Sequence, residues 1–297
     1  MRYRFYKRRS LFKTRTFHIG CLLFVVLAIS ITSVCFTHRD FAIELRQVKQ
    51  PKPSVFYIGI DVSQTVRPDT LAEFKDALVL RLRDFIGEKR VFYHVSVFGL
   101  PGCGKEAIAD IVSTQSPEDP VTFSRRVERR IREISIARRL EGGQDEAPLT
   151  TPLFCFLEKT LTERIGARVI VFSDLVNDDG SCQKQYSFPL KAITKFGRHK
   201  EGQIIFLYLT PYAAGKYDTP DIRERLIKKQ RDFVMEMQKL SSKGKVRAYF
   251  YHIPSYHEKR LDFLRSQLRN SIPATIVEII RDRISRMIDI FIGPVRG

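Results

Sequence analysis

The chain has 297 residues, with 43 % apolar and 28 % charged side chains, a balance that supports a packed core and excludes wholesale intrinsic disorder. Five Cys are too few for a disulfide-built scaffold, and 16 Gly with 14 Pro exclude collagen-like and low-complexity classes. The 51 Lys and Arg exceed the 33 Asp and Glu by 18, which points either to an anionic surface nearby, lipid or nucleic acid, or to a solvated basic face.

Residues 1–16 form a basic tail that contains Arg2, Arg4, Lys7, Arg8, Arg9, Lys13 and Arg15. An uncharged run follows at residues 19–37, IGCLLFVVLAISITSVCFT. At ~1.5 Å rise per residue it just crosses a hydrocarbon core of ~30 Å, so residues 17–37 are expected to form a transmembrane helix. The basic flank favours a cytoplasmic N-terminus, with the rest of the chain extracytoplasmic. A cleaved signal peptide is the alternative, but its apolar region usually runs about 7–15 residues, and no clean small-x-small site follows. Ser33-Val34-Cys35 departs from a lipoprotein signal at Val34. The expectation is a retained single-pass anchor in the cytoplasmic membrane. Residues 38–53 read as a tether, held extended by Pro51 and Pro53.

Residues 55–61 (VFYIGID) are a continuous apolar run ending in a carboxylate, the pattern of a buried parallel strand. Residues 70–85 place Leu71, Phe74, Ala77, Leu78 and Leu82 at helical spacing. Residues 90–98 (RVFYHVSVF) and 106–113 (EAIADIVS) read as strands joined by the turn GLPGCGK, an antiparallel hairpin. Residues 121–139 read as a charged helix, and 151–165 as another with Pro152 in its first turn. Residues 167–174 (ARVIVFSD) are a second strand ending in a carboxylate. Strands at 203–209 and 245–253 and helices at 221–240 and 258–268 complete the pattern.

Residues 271–297 form an amphipathic C-terminal segment. Ile276, Ile279, Ile280, Ile284, Met287, Ile288 and Phe291 share one helical face, with Arg281, Arg283 and Arg286 on others. It reads either as a last helix packed on the domain or as a basic helix lying on a membrane surface or docking a partner. No internal repeat is present.

This alternation predicts an α/β fold over residues 54–270: a doubly wound, mainly parallel sheet flanked by helices, with one antiparallel edge strand. Ligands of such sheets bind beyond the carboxyl ends of the strands, where Asp61 and Asp174 fall.

The first strand is followed by Asp61-Val62-Ser63-Gln64-Thr65, three oxygen-bearing side chains on alternate residues. In a loop these can converge on a cation, and carboxylates with hydroxyls suit Mg²⁺ or Mn²⁺; Ca²⁺ also accepts them. The motif resembles the metal-ion-dependent adhesion site of the von Willebrand factor A domain family, in which a strand leads into Asp-x-Ser-x-Ser. A Thr from a second loop and an Asp ending a later strand complete that family's site. Here Thr151, in LTTPL, and Asp174, in VIVFSDLVND, resemble those pieces in order and spacing. Thr150 adjoins Thr151, and either could serve, with the Thr-Pro order favouring Thr151. Thr65 stands for the second Ser. Leu175 stands where a Gly commonly follows the late Asp, a departure expected to alter the loop backbone. The resemblance spans about residues 54–270. It implies a binding module that holds a divalent cation through Asp61, Ser63, Thr65, Thr151 and Asp174, which the apolar run at residues 19–37 would anchor to the membrane. That cation would accept a carboxylate of a protein partner. The bland reading is that Asp61 and Ser63 cap the next helix while Asp174 ends a strand in an ordinary turn.

A second motif competes. Gly99-Leu-Pro-Gly-Cys-Gly104-Lys105-Glu106 matches a P-loop up to its last position, where Glu106 replaces the hydroxyl residue that binds Mg²⁺ and would repel phosphate. Nucleotide binding through Gly99, Gly104 and Lys105 is the alternative function, and a Gly-rich hairpin tip is the plain one. The apolar anchor argues against nucleic acid as the partner. Cys103, Cys155 and Cys182 lie beyond the apolar run, and in an oxidising compartment one pair can form a disulfide; sequence does not say which. No nucleophile–base set is legible, so no enzymatic activity is expected.

Overall fold

The computed structural model describes residues 54–137, 150–164, 166–199, 202–213 and 218–272. The expected transmembrane helix, tether and C-terminal helix at 276–291 lie outside these residues. Among the described residues no helix is long and apolar enough to cross a membrane.

Six strands form one sheet: β1 (Ser54–Asp61), β2 (Val91–Phe98), β3 (Ile108–Gln115), β4 (Arg168–Ser173), β5 (Gln203–Tyr208) and β6 (Ala248–His252). Their order is β3-β2-β1-β4-β5-β6, with every pairing parallel except β2 with β3. The expected sheet, with its antiparallel edge, is present. β1 pairs with β2 on one side and β4 on the other, so the chain reverses its direction of winding at β1. The crevice beyond the carboxyl ends of β1 and β4 is therefore the topological switch point.

Helices cover both faces. The first carries α1 (Pro68–Arg83), a helical run at residues 120–132 (α2) and α6 (His257–Ser271), packed on Phe56, Ile58, Ile60, Ile170 and Phe172. The second carries α3 (Leu153–Glu163), α4 (Leu190–Gly197) and α5 (Pro220–Ser242), packed on Tyr57, Val169, Val171, Ile204 and Phe206. The alternation of Phe56, Tyr57 and Ile58 between two cores explains the unbroken apolar runs: a strand buried on both faces has no polar side to show. On the first face a buried ion pair joins two helices. Arg260 of α6, 3 % exposed, donates to Glu73 and Asp69 of α1 and to the Thr70 hydroxyl.

Three expectations shift. The helix expected over 121–139 stops after Arg132 and contains a π turn at Ser124–Glu128. Lys75 takes the carbonyls of Arg132 and Ile134, and the Ala137 amide turns to the Val62 carbonyl at 2.8 Å. β3 starts at Ile108 rather than Glu106 because Gly104–Ala107 form a 3₁₀ turn. Helix α4 was not foreseen: eight residues with Ala192, Ile193 and Phe196 buried give too few turns for a clear period.

Gly59 in β1 sets how closely α3 approaches the sheet. A Cβ there would fall 2.2 Å from the Phe156 ring, which is fully buried and stacked on Phe98 at 4.5 Å. Gly59→Ala should therefore overpack the second core and lower the unfolding free energy by about 1–3 kcal/mol, read as a lower urea midpoint. An unchanged midpoint would show that the ring yields.

Candidate metal centre

Asp61 ends β1, and Asp174 follows β4, the next strand; both are fully buried. One oxygen of Asp61 accepts the Ser63 amide at 2.9 Å, and the other accepts the Ser173 hydroxyl at 2.6 Å. The Ser63 and Thr65 hydroxyls lie 3.1 Å apart. Oδ1 of Asp174 accepts the Val176 amide at 2.9 Å, while its Oδ2 is buried without a hydrogen-bond partner. Burial raises Asp61 to about 6. Burial first, and then the like charge of Asp61, raise Asp174 to about 8; the Thr65 hydroxyl, near the carboxylate but with no hydrogen bond of normal geometry to it, and the Val176 amide only partly oppose this.

The remaining members arrive through loops. Thr151 bridges Asp178 in the Asp174 loop, exchanging backbone hydrogen bonds of 2.7 and 3.0 Å. Asn177 in the same loop accepts the Phe154 amide at the start of α3. Thr150 donates its hydroxyl to the Gly102 carbonyl at 2.9 Å, whereas no such bond occupies the Thr151 hydroxyl among the described residues. Gln230 of α5 donates to the carbonyls of Asp174 and Leu209, which holds the end of β4 from behind. Leu175 has φ +60°, the left-handed region that glycine enters most freely. The loop thus keeps a glycine-like turn with a leucine in it. The side chain is fully buried in the second core, which offsets a backbone strain of order 1–3 kcal/mol.

The donor set suits a hard cation. The crevice brings together two carboxylates and the Ser63 and Thr65 hydroxyls, with Thr151 joined to the Asp174 loop through its backbone, and the orphaned Asp174 oxygen is the group that a proton or cation would satisfy. Among the described residues, no cluster of three or more His, Cys, Asp or Glu side chains has metal-binding geometry, so the site would depend on its hydroxyls. Two contributors were missed in the sequence. Ser173 precedes the late Asp and also accepts the Leu175 amide at 2.8 Å; the Ser-Asp pair at the strand end was its only signal. Gly99 is the second.

The nucleotide reading of Gly99, Gly104 and Lys105 is not supported by this geometry. A phosphate-cradling loop must open onto a helix N-terminus, but this loop leads through one 3₁₀ turn into the antiparallel strand β3. Its glycines serve the neighbouring site instead. A Cβ on Gly99, at φ +92°, would fall 2.8 Å from the Ser63 nitrogen and 3.2 Å from Asp61 Oδ1. The strap formed by residues 99–104 thus presses on the Asp61 loop, accepts Thr150 at Gly102, and is joined by a Cys103–Cys182 disulfide to the loop after β4. Among the described residues Cys155 is a free, buried thiol. A Ser–His contact also occurs, Ser113 Oγ to His94 Nδ1 at 2.8 Å, but it spans the β2–β3 ladder on an exposed face.

No family model matches the chain, and no curated protein matches it. Solved structures with similarity include the open conformation of the pilus adhesin SpaC from Lactobacillus rhamnosus GG, at 11 % identity and TM-score 0.44, over 75 % of this chain and 30 % of that one. A von Willebrand factor type A structure from Catenulispora acidiphila matches at 12 % and 0.42, over 74 % and 42 %. The PilB minor pilin from Streptococcus sanguinis matches at 8 % and 0.40, over 74 % and 61 %. This chain thus spans less than two thirds of each of them.

Both carboxylates hold their protons to higher pH folded than unfolded. Their contribution to stability is complete in acid, below the ordinary carboxylate range, and is lost as pH rises through about 6 and then about 8. Thermal melts of the metal-free chain should fall across that window. Mg²⁺ should raise the melting temperature above it and have no effect at low pH; a Mg²⁺ effect independent of pH would contradict the assignment. Ser173→Ala, which frees one oxygen of Asp61, should weaken Mg²⁺ binding about 10–100-fold by titration calorimetry, the range for partners that orient metal ligands.

Proposed function

We propose that the chain is a membrane-anchored von Willebrand factor A-type module that binds an acidic group of a protein partner through a divalent cation. The observation that carries this reading is the unpartnered, fully buried Oδ2 of Asp174 beside Asp61. Two buried carboxylates at a strand-end crevice are costly unless a proton or cation neutralises them. Asp61 and Asp174 would hold Mg²⁺ or Mn²⁺, or Ca²⁺, with Ser63, Thr65 and Thr151 contributing oxygens directly or through water. A cation held there would supply the Lewis acidity that binds a partner's carboxylate. Ser173 holds one oxygen of Asp61, and the strap at Gly99 fixes the approach of the Asp61 loop. Only two negative charges would face a doubly charged ion, so the loaded site is neutral overall and an incoming carboxylate meets no net negative charge.

The anchor reading rests on residues 1–37: a basic flank followed by an apolar run. The Cys103–Cys182 disulfide agrees with a domain outside the cytoplasm, since such bonds persist in oxidising compartments. The module is read as a binding domain rather than an enzyme. A peptide library passed over the immobilised full chain should yield ligands rich in Asp and Glu, retained in Mg²⁺ and released by a chelator. Peptides retained equally after Asp174→Ala, or in chelator, would refute the cation-bridged mode.

The strap makes a separate prediction. Reducing Cys103–Cys182 frees the loop at Gly99–Gly104 from its cross-link, so Mg²⁺ affinity should fall while the sheet stays folded. Calorimetry with far-ultraviolet circular dichroism before and after reduction checks both. Unchanged affinity would show that the disulfide serves stability alone.

A further inference from the structure

The pole opposite the candidate metal centre carries a second feature. A cleft of about 430 Å³ opens where α4 and α5 end and β6 begins, and it is lined by Arg198, Arg247, Ser241, Gly244 and Tyr249 among others. Among the described residues no carboxylate lines it. Lys243 and Lys245, both exposed, belong to the same 241–249 segment. Arg198, Lys243 and Lys245 form no ion pair among the described residues, unlike Arg67, Arg83, Arg132 and Arg223, each of which has a carboxylate partner. Arg247 is held by the carbonyls of Gly202 and His199, and Arg168 at the start of β4 by that of Ser271. Arg168 and Arg247 lie close enough for their charges to oppose one another.

The plain explanation is that these cations cap helix C-termini. Two helix ends supply about half a negative charge each, about one charge in total. Arg168, Arg198, Lys243, Lys245 and Arg247 exceed that several times over. Like charges gathered with no carboxylate among the described residues fit an external anion.

The chain exits say which anion. β1 begins at Ser54, its amide bonded to the Arg90 carbonyl, so residues 38–53 join the domain at this pole. Three strand spacings of ~4.8 Å put that entry roughly 14 Å from β6. α6 ends at the same pole, where Arg81 donates to the Ile272 carbonyl, and the amphipathic, arginine-bearing sequence 273–297 continues from there. The tether can extend at most about 55 Å. Tyr249, 42 % exposed at the rim, is a residue type favoured at membrane interfaces.

We infer that the Arg198–Arg247 cleft and its flanking lysines bind the headgroups of anionic phospholipids, seating the domain with its metal-binding pole away from the bilayer. The inference rests on the anchor reading of residues 19–37.

The test uses the full chain in nanodiscs of phosphatidylcholine, with or without about 30 % phosphatidylglycerol, an anionic content that gives a marked surface potential. Acetylation rates of Lys243 and Lys245 are read by mass spectrometry, with Lys105 at the opposite pole as internal standard. A site-specific readout is needed because residues 1–16 are basic too. Anionic discs should slow both lysines about fivefold, the factor for about 1 kcal/mol per residue at an anionic surface, and leave Lys105 unchanged. Added salt, or the exposed substitution Arg198→Glu, should abolish most of the protection. Equal rates in both discs would overturn the inference. Equal protection by inorganic phosphate in neutral discs would also overturn it, by making the ligand a free anion. If the chain does not enter discs, the anchor reading fails, and flotation decides the cleft separately. Flotation with phosphatidylglycerol but not phosphatidylcholine vesicles, lost in Arg198→Glu, supports it; no preference overturns it.

Discussion

Two carboxylates of like charge, Asp61 and Asp174, are held fully buried at the ends of neighbouring parallel strands. That repulsion is the constraint around which the rest of the carboxyl-end crevice is arranged. An unneutralised pair in such a place would cost several kcal/mol. The Ser173 hydroxyl and the Ser63 and Val176 amides each satisfy one oxygen, and a fourth oxygen remains unsatisfied. The sheet order creates the crevice by placing β1 at the switch point. Gly59, beneath Phe156, lets the helix that follows Thr151 lie close against β1. Protonation in acid neutralises the pair, and in the proposed reading a cation would do so at higher pH.

The sheet was legible in the sequence because buried parallel strands leave long apolar runs, and 55–61 and 167–174 both end in a carboxylate. Asp61, Ser63 and Thr65 were legible for the same reason, being local in sequence at a strand end. What stayed hidden was non-local. The role of Gly99 depends on a neighbour 36 residues upstream in the chain, Ser63, so its local pattern suggested a phosphate loop instead. The pairing of Cys103 with Cys182 across 79 residues cannot be chosen from three candidates by spacing. Leu175 was expected to alter the loop backbone. It adopts a left-handed turn instead, because its side chain gains a place in the second core. The helix α4 was too short to show a period.

The two poles of the sheet are chemically opposite. One gathers carboxylates and hydroxyls; the other, about 26 Å away by the length of β1, gathers arginines and lysines and receives the tether. Under the proposed reading, the basic pole would face the membrane and the carboxylate pole the ligand, a polarity set by the strand direction. The Cys103–Cys182 bond stiffens only the ligand side. In chain-entropy terms, closing so long a loop contributes on the order of 4 kcal/mol to stability, and it also fixes the strap that bears on Asp61.

The most direct test of the cation site is a crystal structure of the protein grown with Mn²⁺, with anomalous data collected at the manganese edge. The account predicts a single anomalous peak in the crevice, within about 2.2 Å of Asp174 Oδ2 and coordinated octahedrally by oxygens of the Asp61–Thr65 loop. An empty crevice, with Asp174 Oδ2 hydrogen-bonded to its neighbours and the manganese elsewhere or absent, would contradict it.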